Sequence, residues 1–307
     1  MSELSYSELV RELFPRLTGG IRWGLERTEA LLASVGNPHH SYRTVHIGGT
    51  NGKGSVAATL TALLATTQAK VGLYSSPHLC SFRERIQIDQ SAITEDAIVA
   101  AARKLWPAVQ QLQPSFFEAT TAVGLLAFAE AGVDTAVIEV GLGGRLDSTN
   151  VITPKLAVIT NIAFDHADYL GNTLASIATE KAGIIKPGVP LLTSEQDASM
   201  LALFRARAAE LGASMHTLAR GDVHDMEFDL EGTTFSMEWR GRALRLRTPL
   251  IGRHQAVNTA LAVRAAGLLD LELDAAAMQH ALERIHWPGR VQIEKIERQT
   301  WVFDVAH

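Results

Sequence analysis

Between Val45 and Ser55 the chain reads Val-His-Ile-Gly-Gly-Thr-Asn-Gly-Lys-Gly-Ser, with four glycines, one lysine and two good hydroxyl donors. Glycines remove the Cβ atoms that would keep several backbone N–H groups from converging on one anion. A helix opening after the turn adds unpaired N–H groups and a positive dipole end. Lys53 supplies a mobile positive charge, and Thr50 and Ser55 supply hydroxyls for phosphate or a metal ion. Together these residues describe a cradle for a nucleoside triphosphate. The spacing departs from the generic phosphate loop, because only Gly49-Thr50-Asn51 separate Gly48 from Gly52-Lys53, and Gly54 stands before Ser55. The competing reading, a flexible turn that binds nothing, needs the strand, glycines, lysine and helix to coincide by chance.

Further reactive groups fall just past apolar runs that read as strands. Val71 to Tyr74 runs into Ser75-Ser76-Pro77-His78, Thr135 to Val140 carries Glu139 at its end, and Leu156 to Thr160 leads to Asp165-His166. Open parallel sheets bind ligands at the carboxyl ends of their strands, so Ser76, His78, Glu139 and His166 are expected beside the phosphate loop. A buried carboxylate is costly unless it is paired or holds a metal. Glu139 is therefore read as a metal ligand, with a salt bridge to Arg145 as the alternative. Lys181 lies on a helix over 173–183, where a surface pairing with Glu180 is the plain reading. Phe117 and Glu118 open another helix, and ring stacking on a ligand and core packing explain Phe117 equally. Arg22-Trp23 reads as a ligand-facing loop or as a cap on the core.

Stepping along the chain, strands at 45–49, 71–74, 135–140, 156–160 and 189–192 alternate with helices at 53–67, 94–111, 116–132 and 173–183. Thr94 is placed as N-cap of its helix, and a short strand is expected over 85–89. Helical spacing also covers 5–17 and 24–35. This alternation specifies an α/β fold, a mostly parallel sheet with helices on both faces. From His224 to Arg247 period-two patterning predicts a small antiparallel edge sheet. Helices follow at 254–269 and 274–284, then Trp287-Pro288-Gly289-Arg290 breaks the pattern and strands are expected at 291–297 and 300–305. The ending Val302-Phe303-Asp304-Val305-Ala306-His307 reads as the first strand and turn of a second, truncated C-terminal α/β domain, which divides the chain into 1–286 and 287–307.

At 307 residues, 47% apolar and 20% charged, the chain can bury a sizeable core. A formal charge of −5 argues against nucleic-acid binding. The single cysteine, Cys80, cannot form an internal disulfide, and the first residues lack a long apolar run. The expectation is a soluble cytoplasmic protein with no membrane partner.

The sequence resembles folylpolyglutamate synthase and dihydrofolate synthase, of the Mur-ligase superfamily of ATP-dependent amide-forming enzymes. The resemblance runs from about Gly24 to His307. It rests on Gly49-Thr50-Asn51-Gly52-Lys53-Gly54-Ser55, Ser75-Ser76-Pro77-His78-Leu79, Glu139-Val140-Gly141-Leu142-Gly143-Gly144-Arg145-Leu146-Asp147, Asp165-His166, Glu180-Lys181-Ala182-Gly183-Ile184 and Phe303-Asp304-Val305-Ala306-His307. It implies a P-loop fold of Mur-ligase central-domain type, with ATP held by Thr50, Asn51, Gly52, Lys53, Gly54 and Ser55 and contacted by Asn258, Arg290 and Asp304. It implies magnesium on Ser76, Glu139 and His166, two ions being expected, a carbamylated Lys181, and Lys53, Lys181, Asp304 and His307 as catalytic residues. The pterin end is matched by Phe117, Glu118, Leu146, Asp147 and Ser148, with Gly24-Leu25-Glu26-Arg27 flanking it. The implied substrates are ATP, L-glutamate and dihydropteroate or a reduced folate, handled by a monomer through an acyl phosphate. A Mur-type ligase with another acceptor and a non-catalytic ATP-binding module stand as alternatives.

Overall fold

The structure, a computed structural model, describes residues 5–13 and 23–305. Its centre is an eight-stranded sheet. In chain order the strands are β1 (Arg43–Gly48), β2 (Val71–Tyr74), β3 (Ile86–Ile88), β4 (Ser91–Ala92), β5 (Thr135–Glu139), β6 (Leu156–Ile159), β7 (Leu191–Thr193) and β8 (Met215–Thr217). Across the sheet the order is β4-β3-β2-β5-β1-β6-β7-β8. β2, β5, β1, β6, β7 and β8 run parallel, while β3 and β4 are antiparallel at one edge.

The helices are α1 (Tyr6–Leu13), α2 (Glu26–Ala33), α3 (Lys53–Leu64), α4 (Glu95–Leu112), α5 (Phe116–Glu130), α6 (Ala167–Leu170), α7 (Leu174–Ala182), α8 (Ala198–Glu210), α9 (Arg253–Leu268) and α10 (Ala275–Glu283). Alternation along β1 decides which face each covers. Val45 and Ile47 join Val137 and Val158 against α3, α9 and α10. On the opposite face, Ala136 and Ile138 pack under α2, α4 and α5, while Ala157 and Ile159 pack under α7 and α8. α3 is apolar all round because the sheet lies on one side and α9 on the other. Burial on both faces is what a parallel sheet requires of its strands.

The pattern at 224–247 folds as β9 (Val223–Asp229), β10 (Gly232–Trp239) and β11 (Arg242–Thr248). This is a separate antiparallel sheet packed on α9, not an edge of the main sheet. β12 (Gln292–Ile296) and β13 (Gln299–Phe303) pair only with each other. The expected opening strand of a second α/β unit is therefore the outer arm of an exposed hairpin, tied back where Val305 N donates to Gly289 O at 2.9 Å. α8 and β8 lie in a stretch the sequence reading leaves unassigned. α8 does carry a signal, Met200, Phe204 and Ala208 at four-residue spacing, all buried. β8 is a short edge strand, largely exposed, with no pattern to read. The helix expected over 5–17 is seen as α1, and its last residues lie outside the described ones.

Among the described residues no helix is long and apolar enough to cross a membrane. Phe128 on α5 is fully buried, its ring so close to Gly72 of β2 that a Cβ there would meet it at 2.9 Å. Phe128→Ala is expected to lower stability by about 3–5 kcal/mol. Denaturant unfolding should show the midpoint falling with the slope unchanged.

Candidate active site

The chain leaves β1 toward β2 on one side, while β6 takes up the other, so the turn after β1 sits where the strand order reverses. Gly49 there has φ +128°, and a Cβ would run into the Thr160 side chain and come within 2.8 Å of its backbone N. The segment after β6 clamps the loop. Thr50 N donates to Asn161 O at 2.8 Å, Asn51 N to Asn161 Oδ1 at 3.1 Å, and Thr160 Oγ1 to Asn51 O at 2.7 Å. Ala163 N donates to Thr50 Oγ1 at 3.0 Å. Glu195, just past β7, fixes that clamp by accepting from Ile162 N at 2.6 Å. Gly52, with φ +83°, opens α3 and faces Asn258 on α9 so closely that a Cβ would clash with its amide.

Two lysines converge on this loop. Lys53 Nζ donates to Gly49 O at 3.1 Å and Thr50 O at 2.9 Å. Lys181, buried on α7, donates to the same Gly49 O at 2.9 Å. Burial and then the Lys53 charge push the Lys181 ammonium down to about 7, against the pull of Asp165 and Asp147. The pairing with Glu180 is not formed, because Glu180 accepts from Arg145 instead, at 2.9 Å. The same bond removes Arg145 as a partner for Glu139.

Glu139 ends β5 with its carboxylate buried, and Ser76 N donates to Oε2 at 3.1 Å. Burial raises it to about 6, opposed by Lys53, the Ser76 N–H, Arg290 and Arg85. A cavity of ≈ 500 Å³ opens beside it. It is lined by Thr50, Gly52, Lys53, Gly54 and Ser55, with Lys181, Ser76, His166 and Arg290. Phe117, Leu146, Asp147 and Ser148 also line it, as do Trp23, Phe116 and Tyr169. Trp23 and Tyr169 lie with ring centroids 6.4 Å apart.

Other expected residues sit elsewhere. Glu118 does not line the cavity: as the third residue of α5 it closes a capping box with Ser115, and its Oε1 accepts from Arg27 Nε at 2.8 Å. Asn51 is spent on the clamp, and Asn258 donates to Gln255 at 3.0 Å behind Gly52. Asp304 is exposed on the hairpin side, where Val291 N donates to its Oδ1 at 3.1 Å. His78 bonds Arg85 Nε at 2.8 Å and does not line the cavity. His307 and Arg22 lie outside the described residues.

The sequence reading also missed Arg85. It is buried, lies 5.2 Å from the Phe116 ring centroid, and lines the cavity. Its only sequence signal is a cation where the short strand β3 begins.

Among the described residues no three His, Cys, Asp or Glu side chains gather as a metal cage. One buried carboxylate beside a phosphate cradle nonetheless fits magnesium, which takes one or two carboxylates and completes its shell with phosphate oxygens and water.

A nucleotide-type loop clamped at the switch point of a mostly parallel sheet, with a buried acid and two lysines, is the site of an α/β phosphate-binding domain. Residues 47–266 match the Mur ligase middle domain. The Bacillus subtilis dihydrofolate synthase/folylpolyglutamate synthase is 37% identical over 316 residues, covering 99% of this chain and 73% of that protein. The Mycobacterium tuberculosis folylpolyglutamate synthase complexed with ADP superposes with TM-score 0.91 at 34% identity, covering 98% of this chain and 70% of that one. A solved FPGS–AMPPCP–folate complex gives TM-score 0.89 at 34% identity, covering 99% and 77%. This chain belongs to the folylpolyglutamate synthase/dihydrofolate synthase family of Mur-type ligases.

The raised Glu139 has a stability consequence. The folded state holds this proton more tightly than the unfolded chain, so its contribution is full below 4.5 and is lost as pH rises through about 6. Glu139→Gln lacks that loss. Its stability relative to the native protein should improve by about 2 kcal/mol between a pH well below 4.5 (about 3) and a pH well above 6 (about 7.5). Denaturant titrations at both pH values check this; a constant difference would contradict it.

Proposed function

We propose that this chain carries the ATP-binding and acceptor-binding parts of a ligase that joins L-glutamate to dihydropteroate or to a reduced folate. The observation that carries the reading is a single cavity lined both by a two-lysine phosphate loop and by aromatic side chains. A relative solved with both AMPPCP and folate supports the same pairing of ligands.

Amide formation in water is uphill, so the acid must first be activated. Its carboxylate attacks the γ-phosphorus of ATP, forming an acyl phosphate and releasing ADP. The amine of glutamate then attacks the acyl carbon, and phosphate leaves as the C–N bond forms. Both steps crowd negative charge beside Gly49. Lys53, Lys181 and the loop N–H groups face that charge, and Arg290 lines the same wall. Ser55 offers a hydroxyl to the phosphates, while that of Thr50 is held by the Ala163 backbone, and Asn258 lies against Gly52 on the side proposed for the nucleoside. Ser76, Glu139 and His166 are the proposed holders of magnesium, which when bound neutralises phosphate oxygens. Trp23, Phe117 and Tyr169, with Leu146 and Ser148, line the same cavity and offer aromatic surface suited to a pterin ring.

Asp304 and His307 remain proposed contributors from the 287–307 segment, which we take as a unit of its own because β12 and β13 pair only together. A carbamylated Lys181 is also proposed. CO2 adds only to a neutral amine, and an ammonium titrating near 7 supplies one at neutral pH.

With magnesium, glutamate and dihydropteroate or tetrahydrofolate, the purified protein should convert ATP to ADP and yield the glutamylated product. No ADP with either acceptor would refute the reading, and hydrolysis of ATP indifferent to acceptor would favour a plain nucleotide-binding module. Lys53→Ala should lower kcat by roughly 10²–10³-fold. For Lys181, protein equilibrated with ¹³C-bicarbonate should show a carbamate carbonyl signal that is absent in Lys181→Ala.

A further inference from the structure

Three buried side chains run in series from the middle of the sheet to the cavity wall. His46 sits on β1, fully buried, on the face opposite Val45 and Ile47. Its Nε2 lies 2.9 Å from Thr149 Oγ1. Thr149 Oγ1 in turn donates to Asp147 Oδ1 at 2.5 Å, and Thr149 N donates to the same oxygen at 3.0 Å. Leu142 N donates to Asp147 Oδ2 at 2.8 Å.

Those three donors engage both carboxylate oxygens and take up most of their acceptor capacity. Asp147 is thereby committed to holding the loop from Gly141 to Thr149 rather than to gripping a ligand. That loop is the cavity wall: Gly141 lies so close to the Phe117 ring that a Cβ would overlap it. Asp147 thus fixes where Phe117 and Leu146 stand.

The hydroxyl of Thr149 has one proton, and Asp147 takes it. Only lone pairs remain toward His46, so the imidazole must be the donor. The proton therefore rests on Nε2, and Nδ1 is left as a bare acceptor. Nδ1 is indeed buried without a partner. A doubly protonated ring would place a second unpaired donor there, and burial together with nearby Lys186 holds the ring neutral, pushed down to about 3.

We infer that His46 is a positioning residue, a neutral Nε2–H donor that orients Thr149 and Asp147 and so sets the shape of the cavity wall proposed for the acceptor. The phosphate loop is held by a different clamp, through residues 160–163 and Glu195. Loss of the relay should therefore weaken the acid substrate and spare ATP. The kinetic part rests on the function proposed above; the tautomer does not.

Two measurements test it. Long-range ¹H–¹⁵N NMR of the native protein should show His46 protonated at Nε2 and bare at Nδ1 across neutral pH; a proton on Nδ1, or on both nitrogens, overturns the relay. In steady-state assays His46→Leu and Thr149→Val should raise KM for the pterin acid roughly ten- to hundred-fold, as loss of a bond into a charged network implies. KM for ATP should stay within about twofold of native, because the other clamp is untouched. Thr149→Ser, which keeps the hydroxyl, should restore the native acid KM. Equal losses for acid and ATP, or no rescue by Thr149→Ser, would contradict the inference. An inactive native protein with the Nε2–H tautomer intact would count against the proposed substrates and leave the relay standing.

Discussion

Two ammonium groups share one carbonyl oxygen. Lys53 and Lys181 come from opposite sides of the sheet, yet both donate to Gly49 O. Like charges this close, one of them buried, repel each other unless an anion joins them. The repulsion is visible in Lys181, held near 7 by burial and by its neighbour. Everything around the pair serves to keep the carbonyl where it is. Gly49 adopts a backbone that an L side chain disfavours, and Thr160 closes over the space where a Cβ would go. A polyphosphate laid on the loop converts this repulsion into attraction.

Glu139 balances the arrangement. Left alone, its carboxylate would be costly in the interior, and Lys53, Arg290 and Arg85 would draw it into ion pairs. It forms no salt bridge among the described residues; it accepts one N–H from Ser76 and points into the cavity. A single acid surrounded by cations but bonded to none is available to a metal ion that arrives with phosphate. The glycine loop has its own scaffold, in which Asp147 commits both carboxylate oxygens and Phe117 packs against Gly141. The phosphate loop and the glycine loop are thus held by different hydrogen bonds, and α7 joins them, since it carries Lys181 and its Glu180 O accepts from Arg145 N at 2.8 Å.

The strand tips were legible in the sequence because apolar runs followed by glycine or a polar turn mark both the sheet and its ligand edge. Ser76, Glu139, His166 and Lys53 were found that way, and all line the cavity. What failed to show was the direction of helical side chains. Lys181 stands next to Glu180, and periodicity could not say that one is buried and the other takes Arg145. Glu118 could have been placed from Ser115 three residues before it, since that spacing signals a capping box; the family resemblance assigns it to the pterin end instead. Arg85 and Tyr169 reach the cavity from distant segments, and only tertiary packing brings them there, whereas Trp23, read as ligand-facing or as a cap on the core, lines it as the first of those readings expects. The hairpin at 292–303 read as strands correctly, but their pairing with each other was not expressed in either strand alone.

Calorimetry of nucleotide binding tests the lysine pair most directly. ATPγS is titrated without metal, in bicarbonate-free buffers of different ionisation enthalpy, about one unit above the Lys181 midpoint, where its terminal thiophosphate is fully ionised. There Lys181 is largely neutral and the analogue fully ionised, so the phosphates should recharge the amine and draw close to one proton from the buffer, an uptake lost in Lys181→Met. Binding heats independent of buffer, or uptake undiminished in that variant, would contradict the claim that the phosphate site is built on two mutually repelling lysines.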